Sequence, residues 1–113
     1  MPQQPIFPFR RVSVDHMVRG ATRVWWDLDR RFHDTGPYTF QLQFGFTALN
    51  AAVDWKDVGA PVVNGYTAYD PEWREGGYQR TSHYRVKLTS AQNTYISQAA
   101  NCHGELPVRD WLI

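Results

Sequence analysis

The chain has 113 residues, a formal charge of +1 from twelve basic and eleven acidic side chains, 15% aromatic residues and one cysteine. That length suits one domain able to bury most of its apolar surface, while near-neutrality excludes a nucleic-acid or anionic-membrane partner held mainly by counterion release. A lone Cys102 excludes an internal disulfide, which makes the chain compatible with a reducing compartment.

Pro2, Pro5 and Pro8 punctuate residues 1–9, each removing a backbone donor and biasing its neighbour toward extended backbone. Residues 1–10 are therefore expected as an extended arm. Its Ile6, Phe7 and Phe9 are too apolar for a solvated tail and belong on a surface, either that of their own domain or that of a neighbouring subunit. This opening lacks the basic start and long apolar run of a secretory signal, and no stretch is long and apolar enough to cross a bilayer, so a soluble chain is expected.

Val12 and Val14 open a first strand, and Arg19-Gly20 supplies a turn. Residues 21–28 alternate Thr22, Val24, Trp26 and Leu28 against Arg23, Trp25 and Asp27, which predicts a strand with Trp26 pointing inward. Residues 29–37 have no period and end in the turn signal Gly36-Pro37. The clearest alternation follows over residues 38–45, where Tyr38, Phe40, Leu42 and Phe44 are separated by Thr39, Gln41 and Gln43. Residues 50–54 read as a loop, and residues 55–59 as a short edge strand limited by Pro61.

Residues 62–69 alternate as a fifth strand, weakened by Gly65, and residues 70–78, with Pro71 and Gly76-Gly77, read as loop. A sixth strand spans residues 79–88, with Ser82, Tyr84, Val86 and Leu88 on one face. A hairpin turn at 90–93 and a seventh strand at 94–100 complete the set. Seven short strands at this spacing predict an all-β, seven-stranded antiparallel sandwich over residues 11–104. In residues 105–113, Pro107 stands where a first helical turn tolerates it, and the segment closes on Trp111, Leu112 and Ile113. The expectation there is a tip that tucks into the domain, a helix start that a partner covers, or a chain that continues further.

Few residues suggest chemistry. His16 beside Asp15, His33 beside Asp34, His83 in a strand and His103 beside Cys102 lack the paired spacing of a zinc site, so solvated or hydrogen-bonded histidines are expected. Ser82-His83 and Ser90 have no evident acidic partner, and neither a nucleophile elbow nor a Gly-rich phosphate loop is present. Asp70, Glu72 and Glu75 are interrupted by Trp73 and Arg74, which breaks calcium-loop alternation and favours a solvated loop. No metal, cofactor or catalytic residue is expected. Trp25, Trp73 and Tyr78 can lie outside the core, either as a stacking platform for a ligand such as a glycan or as caps on the sandwich ends.

Val24 and Trp26 on an early strand, Tyr38-Phe40-Leu42 on the third, and Tyr84-Arg85-Val86 followed by Tyr95 and Ser97 resemble a fibronectin type III domain over residues 12–100. The resemblance implies an immunoglobulin-like sandwich with Trp26 and Tyr84 packed across the two sheets. The chain departs from that pattern in its longer, Gly- and Trp-containing loop over residues 70–80. The run from Phe32 to Gln43 and the ending Leu106-Pro107-Val108-Arg109-Asp110-Trp111 are similar to small structural proteins of tailed bacteriophages. That second resemblance implies a virion component of a head, neck, tail or baseplate, assembled in the host cytoplasm and without catalysis. Its partners would be other copies of itself and other virion proteins, with no nucleic acid and no membrane. The expected contact residues are Ile6, Phe7, Phe9, Trp111, Leu112 and Ile113. The alternative is a carbohydrate- or receptor-binding module that uses Trp25, Trp73 and Tyr78.

Overall fold

Apolar side chains at every second position of an extended segment all face one way, and covering three such faces at once requires two sheets packed together. The computed structural model, which describes residues 6–16, 21–48, 54–71, 80–108 and 110–113, has this arrangement. Its strands are β1 (Phe9–His16), β2 (Thr22–Leu28), β3 (Thr39–Ala48), β4 (Lys56–Asp57), β5 (Val62–Val63), β6 (Thr67–Asp70), β7 (Arg80–Thr89), β8 (Thr94–Ile96), β9 (Ala100–Asn101) and β10 (Gly104–Glu105). Among the described residues there is no helix, and every pairing is antiparallel. The protein is an all-β sandwich.

One sheet has the order β1-β2-β6, and the other runs β10-β9-β7-β3-β4, with β5 also on β3 and β8 also on β7. The long β3–β7 ladder, from Thr39↔Thr89 to Ala48↔Arg80, is the spine of the larger sheet. Val12, Val14, Val24 and Trp26 from the first sheet meet Phe40, Leu42, Phe44, Tyr84, Val86 and Leu88 from the second, all buried. Trp26 lies 5.2 Å from Phe40 between ring centroids, so the largest fully buried side chain reaches from one sheet to the other. Burial of this kind contributes on the order of 1.5–3 kcal/mol per large side chain before ordering costs.

Among the described residues there are ten strands where seven are expected, and the differences have local causes. The run over residues 62–69 is two strands in different sheets: β5 pairs with β3, whereas β6 pairs with β2. Asn64 adopts a left-handed backbone at φ 52, and Gly65 follows where an added Cβ would stand 2.5 Å from Val62 Cγ1. The chain crosses between sheets there. The seventh strand breaks after Ile96 because Ser97 leaves the regular ladder: its hydroxyl accepts the Val86 amide at 2.7 Å while its own amide donates to the Val86 carbonyl at 2.9 Å. After that break, β9 and β10 form a hairpin through Cys102-His103, packed beside β1.

At both ends the structure takes one of the expected alternatives, packing against the domain itself. β1 begins at Phe9, inside the segment expected as an arm. The tip is not a helix start: Ile96 N–H donates to the Trp111 carbonyl at 2.7 Å, Ile113 N–H donates to the Thr94 carbonyl at 2.8 Å, and Leu112 bridges to Tyr95. The outer edge of β8 offers unpaired backbone groups, and pairing with them holds the tip extended. The Gly36-Pro37 turn is present, with a cis peptide bond.

Candidate functional site

The two ends of the chain meet on one side of the sandwich. Phe9 is buried against Phe40 with centroids 6.4 Å apart, and Phe7 lies 6.1 Å from Phe9. Phe7 also meets Trp111 edge-on at 5.2 Å, and Trp111 stacks 6.3 Å from Tyr95. Phe9, Phe7 and Trp111 thus close over their own core, and Ile6 is half-buried. The rings expected at a partner's surface are largely covered at home. On the closing segment Leu106 is 43% exposed, Leu112 41% and Ile113 72%. They lie on the segment that, together with Phe7, forms a cleft of about 460 Å³ walled by Leu106, Pro107, Val108 and Trp111, with Gln98 and Glu105 as its polar lining.

Glu105 fixes that corner. Its carboxylate accepts the Gln98 side-chain amide at 2.6 Å and the Val12 backbone amide at 3.3 Å, tying the hairpin of β9 and β10 to β1. On the other side of this hairpin a second groove, of about 400 Å³, holds Trp25, Asp15, Cys102 and His103. Trp25 is half-buried on the outer face of β2, between Ser13 and Thr67, and the Arg23 guanidinium sits 4.6 Å from its ring centroid. Trp73 and Tyr78, the other two rings of the expected platform, lie outside the described residues.

Ser90 has an acidic partner that its local sequence does not reveal. Its hydroxyl donates to Asp34 at 2.6 Å, and the same carboxylate oxygen accepts the Tyr95 hydroxyl at 2.6 Å. Ser90 Oγ also accepts the amides of Gln92 at 3.1 Å and Asn93 at 3.0 Å, so both lone pairs and the proton are engaged. This group closes a turn; its oxygen is not free to attack a substrate. Burial, reinforced by the Asp34 hydrogen bond, pushes the Tyr95 phenol up to about 12. Gln92 pairs with Thr35 through both of its amide atoms, so the 29–38 loop is clipped to the β7–β8 turn.

The remaining expected sites are scattered. Asp70 is fully buried and accepts the Tyr84 hydroxyl at 2.7 Å, so it is not the solvated loop residue expected; Glu72 and Glu75 lie outside the described residues. His33 and His103 are exposed, and His83 is buried 3.5 Å from the Asn101 amide. Among the described residues no three His, Cys, Asp or Glu side chains gather around a point where a metal could bind. No helix among them is long and apolar enough to cross a membrane.

A polar network on the outer face of the larger sheet was not visible in the sequence. Arg85 donates to Gln43 at 2.8 Å and stacks 4.4 Å from the Trp55 ring centroid, and Gln43 donates to Asp57 at 3.0 Å. Burial pushes the Arg85 guanidinium down. The pairing of Gln43 with both Arg85 and Asp57 across the sheet brings these groups together, and only the strand register could have foretold it.

Set beside protein-family models, curated proteins and solved structures, the chain finds no match in any of the three.

Proposed function

We propose that the protein is a non-enzymatic structural component of a viral particle, of the kind found in the head, neck, tail or baseplate of tailed bacteriophages, and that it acts through contacts with other subunits. The observation that carries this reading is the joined apolar face at the two ends. Phe7 and Trp111 lock the segments together; Leu106 lines a cleft of about 460 Å³, and Leu112 and Ile113 stand exposed further along the same closing segment. Exposed apolar side chains on one segment that also walls a concave surface favour a protein partner. One further point supports the reading: a three-stranded sheet packed on a larger one, with antiparallel pairing throughout, suits a rigid spacer between contact surfaces.

The test is incorporation. The pair Leu112→Ser and Ile113→Ser removes exposed apolar surface from side chains outside the core, so the fold is expected to melt within a few degrees of the wild type. Its abundance in purified particles, read by quantitative mass spectrometry, is expected to fall at least about tenfold, since each lost apolar contact weakens binding by roughly 1 kcal/mol or more. Unchanged incorporation contradicts the reading.

A second reading, glycan or receptor binding, draws on the groove that places Trp25 beside Asp15 and His103, a ring flanked by polar groups. Glycan-array binding abolished by Trp25→Ala would favour it over assembly.

A further inference from the structure

We propose that β6 is a docking edge for the same strand of a second copy of this chain, the two strands pairing antiparallel about a twofold axis at Ala68. This names one partner for the assembly role and rests on that role only for its purpose. Among the described residues β6 pairs on one side alone, with β2, in the register Thr22↔Asp70, Arg23↔Tyr69, Val24↔Ala68 and Trp25↔Thr67. The Trp26 amide donates to the Tyr66 carbonyl at 3.0 Å. In an antiparallel ladder the N–H and C=O of one residue point to the same side, and the side alternates along the strand. Tyr66, Ala68 and Asp70 therefore turn their backbone groups toward β2, whereas Thr67 and Tyr69 turn theirs outward. Among the described residues nothing meets those two N–H and two C=O groups.

Three other edges are guarded. The Val12 amide on β1 is capped by the Glu105 carboxylate, β8 is covered by the tip, and β5 is bounded by Pro61 and the left-handed Asn64. β6 carries no such device along Tyr66-Thr67-Ala68-Tyr69, where no side chain is charged and the two tyrosines are 56% and 55% exposed. Pro71 ends the edge, because its nitrogen has no proton to donate.

Self-pairing follows from the symmetry of this short stretch. With Ala68 on the axis, Thr67 of each copy stands opposite Tyr69 of the other, each N–H meeting the facing C=O, so that four hydrogen bonds use every outward group. Ala68 then faces its counterpart at a non-hydrogen-bonded position, where side chains approach closest and a methyl group fits. The contact is isologous, and it joins the two three-stranded sheets into one of six strands.

Sedimentation equilibrium of the purified chain over a range of concentrations, combined with amide hydrogen exchange, tests the pairing. The expected result is a concentration-dependent dimer in which the Thr67 and Tyr69 amides gain protection as it forms. Tyr69→Pro deletes an outward N–H without touching a β6–β2 bond, and it is expected to weaken the dimer by about tenfold or more. If that variant does not fold, Tyr69→Lys makes the same comparison by placing a charge on the edge. A chain monomeric at all concentrations, a dimer whose Thr67 and Tyr69 amides exchange freely, or a dimer as tight with a folded Tyr69 variant as without it overturns the proposal. Incorporation of the Leu112 and Ile113 variant into particles is a separate readout, so the two readings fail independently.

Discussion

At Val86 the hydrogen bonding of β7 is completed by a side chain, because Ser97 Oγ takes the amide that a strand carbonyl would otherwise accept. Ser97→Ala leaves that buried N–H without a partner, and the expected cost is about 1–3 kcal/mol, read from the shift in a urea or guanidinium midpoint; an unchanged midpoint would show that the hydroxyl is dispensable. Tyr95 makes a second residue-scale prediction. Its folded-state value of about 12 lies above the ordinary 10.0, so folding favours the protonated phenol. This contribution is intact below pH 10 and is lost as the pH climbs from 10 to about 12. Melting temperatures measured between pH 9 and 12 should fall more steeply for the wild type than for Tyr95→Phe, and parallel curves would place the titration elsewhere.

The strands that read most clearly are those whose two faces differ. β2, β3 and β7 each alternate, and burial follows the alternation from Val24 and Trp26 to Phe40, Leu42 and Leu88. Residues 62–69 alternate as well, yet they split, because the period of side chains does not report a left-handed backbone at Asn64. Gly65 marks the crossing, and its close approach to Val62 gives the element-scale prediction. Gly65→Ala sets a methyl group against a β-branched side chain with little freedom to move, which is expected to cost about 1–3 kcal/mol in chemical denaturation; a variant as stable as the wild type would mean that β5 and β6 are joined more loosely. The tip's alternatives were left open for a related reason. Pro107 is compatible with a first helical turn, but the open edge of β8 is a tertiary fact, and it holds residues 111–113 extended.

At the scale of the molecule, the apolar ends were legible as surfaces needing cover, since Ile6, Phe7, Phe9, Trp111, Leu112 and Ile113 are poor company for water. Their division was not. Only the fold brings Phe7 against Trp111 and leaves Leu106, Leu112 and Ile113 outside, just as only the fold brings Asp34 to Ser90 and Tyr95 across more than fifty residues. The ends therefore serve two purposes in the proposed assembly: the inner rings complete one subunit's core, and the outer aliphatic groups are left to join subunits. A residue-resolution electron cryomicroscopy map of the native assembly tests this most directly. The account predicts Leu106, Leu112 and Ile113 covered by a neighbouring subunit, with Phe7, Phe9 and Trp111 still packed at home; a map in which those three aliphatic side chains face solvent would contradict it.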